Sequence, residues 1–83
     1  MTFTALINVM PLKELLDPQG KAVQRGLKNL GQDAIHDVRI GKHITLQIEA
    51  DDKDAAQKLA ENACSKLLAN PVMEYFEIKV VGA

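Results

Sequence analysis

The sequence predicts an α+β fold in which a four-stranded antiparallel sheet carries two helices on one face. Stretches 3–11, 35–50 and 73–81 alternate apolar and polar residues, which is the period of β-strands. Stretches 18–30 and 51–68 repeat apolar residues at the spacing of amphipathic helices. The resulting order is βαββαβ, and two right-handed crossovers place both helices on the same side of the sheet. This is the ferredoxin-like arrangement.

The first strand and the first helix have clear boundaries. Pro11 lacks a backbone donor and ends the strand. Asp17 offers a carboxylate cap and Pro18 suits the first helical position, so the helix is predicted from Pro18 to Leu30. The predicted inward-facing residues are Phe3, Ala5, Ile7 and Val9 of the strand and Val23, Leu27 and Leu30 of the helix.

Residues 35–40 and 43–50 are predicted to pair as a hairpin. A two-residue loop at Gly41 and Lys42 would put Asp37 on the apolar face, so a three-residue loop that includes His43 is favoured. The pairs expected from this register are Ile40 with Ile44, Val38 with Leu46, and Arg39 with Thr45 on the opposite face.

The second helix and the last strand complete the order. Asp51 and Asp52 place negative charge where the helix dipole favours it, and Pro71 ends the helix. The predicted buried stripe of this helix is Ala56, Leu59, Ala60, Ala63, Leu67 and Leu68. The last strand is predicted from Met73 to Val81, with Phe76, Ile78 and Val80 facing inward.

The length indicates one domain, 1–83, that needs help to be stable. A domain of this size buries only about 60% of the surface that its unfolded chain exposes. The usual aids are disulfides, a metal or oligomerisation. One cysteine and two histidines supply neither a disulfide framework nor a complete metal site within one chain. We therefore expect an oligomer.

The charge balance argues against nucleic-acid and membrane partners. Ten basic and eleven acidic residues give a formal net charge of −1, so no field draws the chain to nucleic acid or anionic lipid. The apolar runs are far shorter than the roughly 20 residues of a membrane span, and residues 1–4 lack the basic start of a signal peptide. A cytoplasmic location is expected, and the unpaired Cys64 agrees with it.

The residue types predict no catalytic group in this chain. Gly20 and Lys21 at a helix start suggest a phosphate loop, but Leu15 stands where that motif needs its first glycine. Ala22 likewise replaces the required serine or threonine. Cys64 lies beside the buried stripe of the second helix, where a thiol is usually a small apolar filler.

No metal site is predicted either. His36 and His43 lie at the far end and at the loop of the predicted hairpin, too far apart to share a ligand directly.

Two surfaces are candidates for partner binding. Lys21, Arg25 and Lys28 form a basic stripe on the first helix, which is either a solvated face or a docking stripe for an acidic partner. The open face of the sheet mixes apolar and polar residues, as subunit interfaces do. The members predicted for this face are Leu6, Met10, Ile35, Tyr75, Thr4, Asn8, Thr45 and Gln47.

Three segments together resemble the PurS family, the small subunit of phosphoribosylformylglycinamidine (FGAM) synthase. They are Leu16-Asp17-Pro18-Gln19-Gly20, Val38-Arg39-Ile40-Gly41-Lys42 and Leu68-Ala69-Asn70-Pro71-Val72-Met73-Glu74. Each segment occurs in many folds, whereas their order and spacing across nearly the whole chain are fairly specific.

The resemblance implies a ligase complex of purine biosynthesis. In it a glutaminase subunit releases ammonia, and a large synthetase subunit uses ATP and magnesium to convert formylglycinamide ribonucleotide (FGAR) to FGAM. The PurS-like chain is implied to bridge these two subunits as a homodimer or tetramer, with no catalytic residue and no cofactor of its own. By motif position, Arg39, Gly41 and Lys42 are implied as partner contacts. The other interpretation is that Gly41 only permits a turn and the two cations are solvated.

Other functions of the same fold make different demands on the sequence. A regulatory module that binds a small metabolite between subunits needs convergent polar groups in an apolar pocket. An acyl-phosphate hydrolase needs an arginine and an asparagine after the first strand, and 11–16 contains neither. An RNA-binding module needs exposed aromatic residues on the central strands, where Thr45 and Gln47 stand.

Overall fold

A computed structural model describes residues 1–82, and its elements follow the order βαβαβ. The bounds are Thr2–Pro11 for β1, Pro18–Asn29 for α1, Lys42–Glu49 for β2, Lys53–Ala63 for α2 and Glu74–Val81 for β3. A π-helical turn, Cys64–Leu68, continues α2. Both predicted helices and three of the predicted strands are therefore present close to their predicted positions.

Strand β1 lies at the centre of a three-stranded antiparallel sheet, between β2 and β3. Ile7 faces Ile44 on β2 and Ile78 on β3, so the apolar residues of all three strands share one face. This register confirms the predicted inward-facing sets of the first and last strands. The buried core comprises Phe3, Ala5, Ile7, Val9, Ala56, Ala60, Cys64, Ala69 and Val80.

The expectation of a four-stranded sheet is corrected to three strands over the described residues. Residues 35–40 form no strand there, and the predicted hairpin is absent. Ile44 and Leu46 pair with Ile7 and Ala5 of β1 instead of with the preceding segment. Lys42 and His43, expected in the loop, already belong to β2.

Helix α2 alone covers the inner face of the sheet, so the expectation that both helices pack there is also corrected. Ala56 and Ala60 of α2 are fully buried against the strands. Helix α1 contributes only Gly20 to the buried residues. Val23 and Leu30, predicted to face inward, are 43% and 76% exposed.

The shape of the chain follows from the position of α1. Residues 1–82 extend over 51 × 25 × 14 Å, with a radius of gyration of 16.3 Å. A compact chain of this length has a radius of gyration of about 12 Å. Helix α1 therefore forms an arm that extends from a small domain made of the sheet and α2.

Candidate partner-binding site

Asp17 links the segment that precedes α1 to the segment that follows it. Its Oδ1 accepts a hydrogen bond from the Gly20 amide at 3.1 Å, which is the predicted N-cap of α1. Its Oδ2 accepts a second bond from the Ile40 amide at 2.8 Å. Because the Ile40 amide is used in this way, it cannot enter a strand ladder. We call Asp17, Gly20, Arg39 and Ile40 the latch.

The electrostatics of the latch favour a charged Asp17. The hydrogen bond from the Ile40 amide, followed by the bond from the Gly20 amide, lowers the pKa of Asp17 below its usual value. The positive charge of Arg39 acts in the same direction, and burial opposes it. Asp17, only 8% exposed, is therefore ionised, and each of its carboxylate oxygens accepts a hydrogen bond from the backbone of its own chain.

Two glycines let segment 38–41 pass close to the rest of the chain. A Cβ on Gly20 would overlap the carbonyl oxygen of Val38. A Cβ on Gly41 would overlap the carbonyl oxygen of Val9 and the sulfur of Met10. Gly41 is therefore required by close backbone approach at the start of β2, a role beyond the turn considered from the sequence.

The structure contradicts the expectation that Arg39 lies on the open face of the sheet beside Thr45. Its guanidinium donates to the carbonyl oxygens of Pro11, Leu12 and Lys13, the last at 3.3 Å. Such bonds from a charged donor hold the connection that leads from β1 to α1. Arg39 is thus part of the latch.

The three residues predicted for partner contacts lie together at one end of β2, but they differ in accessibility. Arg39 is half-buried and bonded to its own chain, and Gly41 has no space for a side chain. Lys42 is exposed and opens β2 opposite Val9. Lys42 is therefore the member of the set whose charge a partner can reach.

Sequence reasoning missed the second function of Asp17. The Asp-Pro pair predicted the cap of α1, and the structure confirms it. The bond from Asp17 to Ile40 spans 23 positions, and no local pattern signals it. The one available signal was the presence of both residues in the segments that carry the family resemblance.

The open face of the sheet has nearly the predicted composition. The register aligns Leu6 with Thr45 and Lys79, and Met10 with Tyr75, on the face opposite α2. Thr4 donates to Gln47 at 3.2 Å, so these polar residues bond to each other across the strands. Ile35 lies outside the strands and does not belong to this face. A mixed apolar and polar surface is therefore available to a partner.

Nucleophilic and metal-binding groups are not assembled in residues 1–82. Cys64 is fully buried, and burial raises the pKa of its thiol. His43 lies 2.7 Å from Asn8 through Nδ1 and Oδ1, in an ordinary cross-strand contact. Over the part of the chain that the structure describes, no three potential metal ligands come together. None of its helices there has the length and apolarity to cross a bilayer.

The cavity beside the β1–α1 connection does not favour a metabolite site. A cavity of about 300 Å³ lies between the β1–α1 connection and the start of β3. Its polar lining residues are Asp17, Gln19, Asn70 and Glu74, and the others are apolar apart from the backbone. Oxygens of Asp17, Asn70 and Glu74 already accept hydrogen bonds from backbone amides of the same chain. Most polar side chains of this cavity are therefore engaged within the chain, which disfavours a small-ligand site there.

Fold and site together define a small α+β protein in which the described residues assemble no catalytic or metal site, and whose accessible features are an open sheet face and an exposed helix. Comparison with known proteins gives the family. Residues 4–82 match the PurS model, described as phosphoribosylformylglycinamidine (FGAM) synthase. The chain belongs to the PurS family, as the resemblance of its three segments implied.

Individual relatives match more than four fifths of this chain. The chain is 47% identical over 70 residues to the PurS subunit of FGAM synthase from Bacillus subtilis, covering 83% of this chain and 82% of that one. It is 48% identical over 68 residues to the PurS subunit from Synechocystis sp., covering 82% and 68%.

Solved structures show the same fold. The PurS structure from Bacillus subtilis superposes with a TM-score of 0.87 at 39% identity, over 96% of this chain and 99% of that one. A chain in the structure of PurLQS from Thermotoga maritima superposes with a TM-score of 0.89 at 32% identity, over 98% and 99%.

Proposed function

We propose that this chain is the non-catalytic small subunit of an FGAM synthase complex and acts by bridging the glutaminase and synthetase subunits. In this role it ensures that ammonia from glutamine is used in the conversion of FGAR to FGAM. The observation that carries the proposal is the family match over residues 4–82. The similarity to a chain of the PurLQS structure supports a function within an assembly.

Further parts of the proposal follow from this role. The chain acts as one domain, 1–83, in the cytoplasm, and it forms a homodimer or tetramer. ATP and magnesium are bound by the large subunit, and this chain holds no cofactor. The uncovered apolar residues of α1 and the mixed open face of the sheet support self-association and partner binding.

Arg39, Gly41 and Lys42 form the proposed contact with another subunit of the synthase. Lys42 presents the exposed charge, while Arg39 and Gly41 give the segment its position. If Lys42 forms an ion pair that becomes buried in such a contact, truncating one partner of the pair weakens binding by about 2 kcal/mol or more.

Reconstitution tests the bridging function. The large and glutaminase subunits of the same organism are assayed for FGAM formation with and without this chain, using either glutamine or ammonium chloride as the nitrogen source. We expect glutamine-dependent activity to require this chain, while ammonia-dependent activity proceeds at high ammonium without it. Full glutamine-dependent activity in its absence would remove the bridging proposal.

Lys42→Glu tests the proposed contact, with Lys58→Glu as the matched control on the exposed side of α2. We expect the half-maximal concentration of this chain in the glutamine-dependent assay to rise at least tenfold for Lys42→Glu, since 1.4 kcal/mol corresponds to a factor of ten. Lys58→Glu should leave this half-maximal concentration unchanged. Equal half-maximal concentrations for the two variants would indicate that Lys42 is solvated and contacts no other subunit.

A further inference from the structure

The cavity beside the β1–α1 connection brings together the three segments that carry the family resemblance. Its lining residues come from 16–19, from Ile40 and from 70–74, apart from Pro11 and Leu15. The three segments lie far apart in the sequence and meet only in the folded chain. Residues that resemble a family serve either its fold or a contact that its members share. The cavity is therefore a candidate for such a contact.

Two apolar side chains that line this cavity do not serve the fold. Leu16 is 82% exposed and Met73 is 53% exposed. Neither belongs to the buried core or to the apolar residues packed against it. Exposed apolar groups that border a cavity mark a site where another molecule binds. We call the cavity, together with these two side chains, the Leu16 groove.

Hydrogen bonds within the chain hold the walls of the Leu16 groove in place. Asp17 accepts a bond from the Ile40 amide at 2.8 Å, which joins the first two segments. The Leu12 amide, directly after β1, donates to the carbonyl oxygen of Met73 at 2.9 Å. The turn 70–74 is closed by a bond from its first amide to the carboxylate of its last residue, at 2.8 Å. A site that is already formed loses little conformational freedom when it binds a partner.

The Leu16 groove suits an apolar side chain better than a polar ligand. Side-chain oxygens of Asp17, Asn70 and Glu74 are already engaged by backbone amides of the same chain. An apolar cavity of about 150 Å³ holds a benzene molecule, so a cavity of about 300 Å³ has room for one bulky apolar side chain. An anchor side chain that enters a formed pocket is typical of the centre of a protein–protein interface.

A second cavity shares Leu16 and Pro18 with the groove and is positively charged. Its volume is about 460 Å³, and its other lining residues are Lys21, Ala22 and Arg25. No acidic residue lines this cavity, and within residues 1–82 neither cation forms an ion pair. A segment that crosses Leu16 and Pro18 therefore passes from an apolar pocket to two unpaired cations. This arrangement favours a segment with a carboxylate next to its apolar side chain.

We propose that this surface binds an acidic segment of another subunit of the FGAM synthase. A bulky apolar side chain of that segment enters the Leu16 groove, and a neighbouring aspartate or glutamate pairs with Lys21 and Arg25. The inference rests on the bridging function proposed above and identifies a surface that performs it. Ile40 lines the groove and lies within 39–42, so the surface is continuous with the contact proposed there.

The first test removes the apolar side chains of the groove. Leu16→Asn with Met73→Asn, the groove variant, is compared with Leu59→Asn with Leu67→Asn on α2 and its continuation. The control residues are matched in exposure, at 51% for Leu59 and 83% for Leu67. We expect the half-maximal concentration in the glutamine-dependent assay to rise by about tenfold or more for the groove variant alone. Because all four side chains are exposed, both variants should keep the melting temperature and the oligomer mass of the unmodified chain.

The second test reverses the charge of the adjoining cavity. Lys21→Glu with Arg25→Glu is compared with Lys28→Glu with Lys58→Glu, which changes the net charge equally but leaves this cavity intact. We expect the first variant alone to raise the half-maximal concentration by about tenfold or more. Added salt should raise it for the unmodified chain and have little further effect on the first variant, because salt screens exposed ion pairs. Equal effects of the two variants would contradict the proposed pairing.

Cross-linking identifies the occupant of the groove. A photo-crosslinking amino acid replaces Leu16, and the complex is reconstituted with the large and glutaminase subunits of the same organism. Mass spectrometry of the digested product should identify a peptide of one of these subunits in which an apolar residue adjoins an aspartate or glutamate. Cross-links confined to a second copy of this chain, or to peptides without acidic residues, would overturn the proposal.

The outcomes separate this inference from the bridging function. If the unmodified chain restores glutamine-dependent activity and the groove variant does so at the same concentration, the bridging function stands and the groove is not its contact. Activity that does not require the unmodified chain removes both proposals. A groove variant with an altered oligomer mass would assign Leu16 and Met73 to a contact between copies and would likewise overturn the inference.

Discussion

The carboxylate of Asp17 accepts a hydrogen bond from the amide of Ile40 at 2.8 Å and so joins the start of the α1 arm to the segment that returns from it. The same carboxylate caps α1 through Gly20 at 3.1 Å. One side chain thereby determines where α1 begins and where the following segment runs. The predictions below test this latch and the buried residues behind it.

The stability of the chain should depend on pH through Asp17. Because the folded state lowers the pKa of Asp17 below 3.8, its contribution is fully present above that value and is lost as pH falls through the folded pKa. Asp17→Asn should lower the melting temperature at pH 7 by several degrees. At pH 3 the melting temperatures of the wild type and Asp17→Asn should differ by less than they do at pH 7. Melting curves at both pH values measure this.

The control is Asp33→Asn, an exposed carboxylate on the segment after α1. It should leave the melting temperature at pH 7 unchanged. The pKa of Glu49 is also lowered, first by its hydrogen bond from the N-terminal ammonium group, so some acid sensitivity persists in Asp17→Asn. A difference between wild type and Asp17→Asn that does not narrow with falling pH would contradict the assigned charge state.

Gly20→Ala should destabilise the chain because its methyl group would overlap the carbonyl oxygen of Val38. A backbone neighbour cannot rotate away, so we expect a loss of about 2 kcal/mol in the free energy of unfolding. Gly26→Ala is the matched control within α1, since its methyl group meets nothing within 4 Å and alanine favours helices by about 1 kcal/mol. Chemical denaturation measures the free energy of unfolding of both variants. Equal values for Gly20→Ala and Gly26→Ala would show that segment 38–41 does not pass close to Gly20.

Arg39→Ala and Lys42→Ala should separate a structural cation from a surface cation. Arg39 bonds three carbonyl groups, so its removal should lower the free energy of unfolding by about 2 kcal/mol. Lys42 is exposed, and its removal should change stability by less than about 0.5 kcal/mol. Denaturant titration of both variants decides the matter. If Arg39→Ala left the free energy of unfolding unchanged, Arg39 would be a solvated cation, as one interpretation of the sequence had it.

Cys64 should react slowly with thiol reagents in the native chain. Its side chain is fully buried at the start of the π-helical turn, and burial raises the pKa of the thiol, so little thiolate is available. We expect labelling to become fast only in denaturant. Cys64→Ser should cost about 1–3 kcal/mol because a hydroxyl replaces an apolar group in the core. Rapid native labelling would show that α2 opens from the sheet.

The sequence predicted most secondary structure because the relevant signals are local. Alternation along β1 and β3, the Asp17-Pro18 start of α1 and the acidic start of α2 at Asp52 all appear in the structure where expected. Each signal depends on neighbours within a few positions. The buried face of the sheet was predictable for the same reason.

The tertiary structure decided the course of 31–41 and the position of α1. Alternation in 35–40 was compatible with a strand, but the Ile40 amide binds Asp17 and Arg39 binds the carbonyl groups after β1, which removes the segment from the ladder. Spacing identified Val23 and Leu30 as apolar positions, yet periodicity carries no information about which surface covers them. By itself the sequence therefore determined which apolar positions share one face of each helix or strand. It also determined the family to which the chain belongs. Whether α1 meets its own sheet was decided by bonds between residues more than 20 positions apart, because such contacts depend on the folded path and leave no local pattern.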